Sequence, residues 1–162
     1  MPTTQVTLPF KATEKQLPFV QSSAMYRLGG GARGGGKSHT LAGIAILLSF
    51  LYPGNSGFMG RADLTDFKRT TLPLVLDLIP PELLRRHQQQ EHFIDILSCD
   101  GRTTSRMWYG EMKDPSSVLS GNYGWFFIDE AYEVPEETFV NLAGTLRNDY
   151  LPNGQARPLM GL

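Results

Sequence analysis

No part of this 162-residue chain constrains its fold more than Gly30-Gly31-Ala32-Arg33-Gly34-Gly35-Gly36-Lys37-Ser38. Gly31 is followed by four residues and then by Gly36-Lys37-Ser38, the spacing of a phosphate-binding loop. Glycines permit the backbone angles that turn successive N–H groups inward around an anion, where a Cβ would block its approach. A helix then opens at Lys37, and the free N–H groups and dipole of its first turn also favour negative charge. On this reading the anion-binding positions are Gly31, Ala32, Arg33, Gly34, Gly35, Gly36, Lys37, Ser38 and His39. Lys37 is expected to reach the β- and γ-phosphates of ATP, and the Ser38 hydroxyl to ligate Mg²⁺. A plain glycine-rich turn is the competing reading, and the flanks weigh against it. Upstream, Ala24-Met25-Tyr26-Arg27-Leu28 reads as a short strand. Downstream, residues 41–51 form an almost wholly apolar helix, as expected of one buried against a sheet. Strand, glycine loop, Lys-Ser and buried helix predict an α/β fold.

About ninety residues later comes a second chemical motif, Gly124-Trp125-Phe126-Phe127-Ile128-Asp129-Glu130-Ala131. Four bulky apolar residues predict a strand buried on both faces. The run ends abruptly in two carboxylates, and neighbouring residues at a strand end point in different directions. The two acids can therefore take different work: Asp129 holds the Mg²⁺ ion or its water shell, and Glu130 orients and deprotonates an attacking water. An apolar run ending in acids is also a common strand end; the preceding glycine loop is what favours the chemical reading.

Composition bounds what else the chain can be. A hydrophobic share of 41% and a charged share of 19% describe an ordinary globular protein with a sizeable core. The longest apolar run, residues 41–52, is too short and interrupted to span a bilayer, so no membrane partner is expected. The first residues lack the basic and apolar regions of a signal peptide. A single cysteine, Cys99, excludes an internal disulfide framework and a cysteine metal cluster, and a reducing, cytoplasmic setting is the default. Net charge is −1, with basic residues concentrated before residue 111 and acidic ones after it. The basic share in the first part can meet phosphates or simply cover solvated faces.

The remaining segments place the motifs. Residues 1–9 read as an extended arm. Thr13 is a candidate cap for a short helix, with Gln16 three residues on and Pro18 in its first turns. Gln16 either pairs with adenine through its amide or serves as a capping, surface residue. Ser56–Arg61 reads as a strand whose terminal Arg61 lies where ligands bind in such sheets. Over residues 63–86 the apolar spacing is helical, and Pro73, Pro80 and Pro81 are expected to divide it into short helices. His92–Leu97 and Thr103–Tyr109 read as strands joined by an Asp100-Gly101 hairpin. His39, His87 and His92 show no metal-ligand spacing. Residues 114–119 predict a short capped helix, Phe139, Val140, Leu142 and Ala143 a further helix with Pro135 and its neighbouring acids suited to a first turn, and residues 158–162 a strand.

Taken together, these residues resemble the ATPase domain of the large terminase subunit of tailed bacteriophages. The resemblance is carried by Phe10 with Lys15-Gln16, the loop through Lys37-Ser38, Ile128-Asp129-Glu130-Ala131, and Leu142-Ala143-Gly144-Thr145-Leu146-Arg147 before Arg157-Pro158-Leu159. It covers about residues 10–162. It implies a RecA-like P-loop NTPase with a mainly parallel central sheet flanked by helices. It also implies ATP and Mg²⁺ as cofactors, with Lys37 and Glu130 catalytic, Asp129 and Ser38 on the metal, and Gln16 at the base. Arg33 is the first candidate for an arginine that stabilises the γ-phosphate, with Arg61 and Arg147 as alternatives. The implied partners are double-stranded DNA, a portal protein and capsid precursor, the small terminase subunit, and further copies of the full-length protein in a homo-oligomer. The family's coupling motif is expected just after Leu162, followed by the remaining strands and a nuclease domain, so the chain is expected to hold only part of such a protein. Two alternatives stand beside this reading: another RecA-like helicase or translocase fragment, and a non-hydrolysing nucleotide-binding assembly module.

Overall fold

The computed structural model describes residues 5–31, 36–147 and 149–162. Six strands form one sheet: β1 (Ser56–Arg61), β2 (Leu84–Gln88), β3 (Phe93–Leu97), β4 (Thr104–Glu111), β5 (Trp125–Ile128) and β6 (Met160–Gly161). Their spatial order is β2-β3-β4-β1-β5-β6. β1 lies between β4 and β5 and runs parallel to both, and β6 runs parallel to β5. At the other edge β2, β3 and β4 are antiparallel. The Asp100-Gly101 turn explains that change of direction: Gly101 has φ +68°, and the Asp100 carboxylate accepts the N–H groups of Arg102 and Thr103. The sheet is mostly parallel, as expected.

Helices α1 (Leu17–Gln21), α2 (Lys37–Leu51), α3 (Leu64–Leu78) and α4 (Glu136–Thr145) flank it. α2 and α3 pack on each other and on one face of the sheet, against Met59, Ile94, Met107, Trp125 and Phe127. The other face packs Phe58, Phe126 and Ile128 against Met112, Val118 and Leu142 of α4. All four residues of β5 are buried, Trp125 and Phe127 toward α2 and Phe126 and Ile128 toward the opposite layer. Each such side chain contributes about 1.5–3 kcal/mol of burial, which fixes the height at which the following acids leave the sheet. In the segment before α1, Val6, Leu8 and Phe10 pack against the larger core.

Three expectations change. The strand expected over residues 24–28 is reduced to one parallel bridge, Tyr26 with Gly161, closed by Arg27 N–H to Gly161 O and Gly161 N–H to Met25 O. Pro73 does not divide the helix; α3 runs through it. Pro73 and Arg69 lie on the exposed face, so the carbonyl that loses its partner meets water, and burial of Phe67, Leu72, Val75 and Leu78 offsets the cost of about 3 kcal/mol. Leu84 does not continue a helix but starts β2, a polar edge strand with an irregularity between Leu84 and Arg86.

β1 and β5 approach closely because Gly57 faces Trp125 across the pair. A Cβ on Gly57 would lie 1.9 Å from the Trp125 ring. Gly57→Ala is therefore expected to destabilise the fold by about 3 kcal/mol, the upper range for overpacking a core. Urea unfolding followed by tryptophan fluorescence measures it; an unchanged midpoint contradicts this packing.

Candidate active site

The site begins where α2 begins. Gly36, at the cap of α2, has φ +69°, and a Cβ there would lie 2.6 Å from Gln16 Nε2. The left-handed backbone favours glycine here, and a Cβ would in addition displace the Gln16 amide. Gly31, at the loop entrance, has φ +130°. Ala32, Arg33, Gly34 and Gly35 lie outside the described residues. The Gly36 carbonyl accepts the Thr40 N–H at 2.9 Å, the Thr40 hydroxyl at 2.9 Å and Gln16 Nε2 at 3.3 Å. This holds the helix start rigidly. Among the described residues no side chain caps α2, and its first turn contains no acid, so nothing there offsets the positive end of the helix dipole. The Lys37 side chain turns back to Gly31, its Nζ donating to Gly31 O at 2.8 Å.

From the other side comes the end of β5. Asp129 is only 5% exposed. Its carboxylate accepts the Ser38 hydroxyl at 2.9 and 3.0 Å across 91 residues of sequence. It also accepts the Thr71 hydroxyl of α3 at 2.6 Å and the Glu130 N–H at 3.1 Å. Glu130 itself has φ +53° and ψ +53°, a left-handed conformation that costs a non-glycine residue about 1–2 kcal/mol. That conformation turns the chain sharply out of the strand, so Asp129 stays buried against α2 while Glu130 is half-buried at the rim. The Glu130 carboxylate pushes the phenol of the nearby, exposed Tyr132 above its ordinary value.

Placement of the other expected residues is specific. The Gln16 side chain bonds the turn before α1, its Oε1 accepting the Thr13 N–H at 2.8 Å, while its Nε2 donates to Gly36 O at 3.3 Å; no side-chain bond caps α1 itself among the described residues. The His39 ring packs on Phe10, with centroids 5.5 Å apart. Arg61, at the end of β1, forms a two-pronged ion pair with Glu133, at 2.9 and 2.8 Å. The pairing raises the Arg61 pKa further and lowers that of Glu133. Its fork is thus committed to the turn after Glu130. The Arg147 backbone bonds to Tyr123, ahead of β5 and at the opposite end of that strand from Asp129.

Thr71 was not among the expected site residues. Its signal in the sequence is a hydroxyl inside the apolar stripe of α3, between buried Phe67 and Val75. Among the described residues no group of three or more His, Cys, Asp or Glu could hold a metal. The donors present at the site are a hydroxyl and a carboxylate, Ser38 and Asp129. Two hard oxygen ligands suit Mg²⁺, which shares its remaining positions with water and phosphate oxygens.

No family model matches the chain, and no curated protein matches it by sequence. Solved structures do. The large terminase ATPase domain of Thermus phage P74-26 superposes with a TM-score of 0.64 and 19% identity, over 85% of this chain and 62% of that one. A large terminase from a thermophilic bacteriophage gives a TM-score of 0.67 at 14% identity, over 85% of this chain and 35% of that one. The same terminase in complex with ADP gives 0.65 at 12% identity, over 74% and 30%. The chain thus spans about a third of the length of those large terminases. At these identities the likeness is one of architecture: this chain has the fold of the ATPase domain of phage large terminases.

Proposed function

We propose that this chain is the ATP-hydrolysing motor part of a phage large terminase, which drives double-stranded DNA through a portal into a preformed capsid. The observation that carries the reading is the Ser38–Asp129 hydrogen bond, which joins the glycine loop's helix to the acid-bearing strand. Terminases of this fold have been solved with ADP and with ATP-γ-S, which supports a nucleotide as the ligand here. The role implies the portal, the capsid precursor, the small terminase subunit and further copies of the longer protein as partners.

The residues divide the work by position. The N–H groups of residues 36–39 and the Lys37 ammonium bind and orient the phosphates. Ser38 and Asp129 would hold Mg²⁺, which supplies charge neutralisation on the phosphate oxygens when bound. Thr71 keeps the Asp129 carboxylate turned toward Ser38. Glu130, at the rim, takes a proton from the water it orients. Arg33 remains the first candidate for the γ-phosphate arginine, since Arg61 is paired with Glu133 and Arg147 lies at the far end of β5.

Lys37→Ala is expected to weaken binding of a fluorescent ATP analogue about 10- to 100-fold, the worth of a charged hydrogen bond to phosphate. Equal affinities in wild type and variant contradict the site. Glu130→Gln should leave that affinity within about threefold while lowering ATP turnover about 10²-fold or more. Turnover at the wild-type rate would remove Glu130 as the base. Thr71→Val, which deletes one hydroxyl at constant shape, should raise the Mg²⁺ concentration needed for nucleotide binding about tenfold, and Thr71→Ser should restore it. An unchanged Mg²⁺ titration in Thr71→Val would mean that the hydroxyl only fills space.

A further inference from the structure

Arg61 is the last residue of β1, and the strands on either side set its position. Asp129 N–H donates to Gly60 O at 2.9 Å from the β5 side, and Met112 N–H donates to Arg61 O at 2.9 Å from the β4 side. From that fixed point the Arg61 side chain reaches Glu133, with Nε and Nη2 donating to its two carboxylate oxygens at 2.9 and 2.8 Å. A two-pronged pair fixes orientation as well as distance, which a single charge contact does not. Both side chains are largely withdrawn from water, at 17% and 29% exposure.

The turn that receives this fork carries Glu130. It begins with the left-handed backbone of Glu130 and continues as one turn of 3₁₀ helix, Ala131–Glu133. Two backbone bonds close it, Glu133 N–H to Glu130 O at 2.9 Å and Val134 N–H to Ala131 O at 3.1 Å. None of Ala131, Tyr132 and Glu133 is buried, so burial does not anchor the segment; apolar packing resumes only at Val134. A glutamate keeps a left-handed backbone where its surroundings over-determine it. The like charges of Glu130 and Glu133 also work against so tight a turn. The Arg61 guanidinium meets both demands, since it neutralises Glu133 and is attracted by Glu130 as well.

We propose that Arg61 and Glu133 are positioning residues for Glu130, a role that rests on the reading of Glu130 as the base that takes a proton from water. Arg61 acts through Glu133 and not on the γ-phosphate. A pair in partial contact with water adds little to global stability. Displacing a reacting group by about 1 Å, in contrast, costs about 10²-fold in rate. Loss of the pair therefore shows in turnover before it shows in folding.

The experiment compares wild type, Arg61→Gln, Glu133→Gln and the double variant for ADP affinity, for KM and kcat with ATP, and for thermal midpoint. Each single variant is expected to lose about tenfold or more in kcat, with ADP affinity and KM within about twofold of wild type. The double variant should be no slower than the slower single one, because both changes remove the same contact. Glu133→Gln separates the two roles open to Arg61: freeing an arginine that served the γ-phosphate would leave kcat unchanged or raise it. Wild-type kcat in Glu133→Gln, losses that multiply in the double variant, KM or ADP affinity weakened in step with kcat, or a kcat that tracks a fallen thermal midpoint each overturns the proposal and leaves the nucleotide reading standing. Wild-type protein that neither binds ADP nor turns over ATP overturns that reading, and the proposal with it, so the two failures are told apart.

Discussion

A carboxylate buried to 5% exposure is costly unless its oxygens are satisfied, and the arrangement of this molecule follows from how Asp129 meets that demand. Its donors come from three directions: Ser38 at the start of α2, Thr71 in the middle of α3, and the N–H of Glu130 just beyond β5. The acid thereby ties both helices of one layer to the end of β5. Removing a donor would leave part of a buried charge unpaired, the situation that makes broken buried polar contacts destabilising. The same bonds hold the carboxylate beside the Ser38 hydroxyl.

What places that carboxylate is packing further back. Gly57 lets the Trp125 ring lie against β1, and the fully buried β5 then has one height and one register in the sheet. Beyond it, Glu130 adopts a left-handed backbone, and the Arg61–Glu133 pair clamps the turn that follows. Strain of about 1–2 kcal/mol at Glu130 is tolerated because both sides of the turn are anchored. The result is one acid inside and one at the rim, two environments made from adjacent residues.

The parts legible in the sequence were those where chemistry demands particular residues at particular spacings. Gly31 and Gly36 both occupy positive-φ positions, the Asp100-Gly101 hairpin reverses the chain as read, and the apolar run through Phe127 is buried on both faces. The parts that escaped were decided by tertiary context. β2, Leu-Arg-Arg-His-Gln, is an exposed edge strand, so no apolar alternation announced it. Pro73 is tolerated in α3 because its face of the helix meets water, which spacing alone does not reveal. Arg61 was legible as a rim residue, but its pairing with Glu133 spans 72 residues. Thr71 looked like one more position in a core stripe; only the folded chain brings its hydroxyl to Asp129.

The central claim is that the Ser38–Asp129 pair marks where a nucleotide and its metal bind. A crystal structure of the chain with Mg²⁺ and ATP-γ-S tests it most directly. The account predicts Mg²⁺ about 2.1 Å from Ser38 Oγ, with Asp129 bound to the ion directly or through one of its waters and the phosphates lying against the N–H groups of Gly36 to His39. Nucleotide density elsewhere on the chain, or a metal bound away from Ser38 and Asp129, would contradict it.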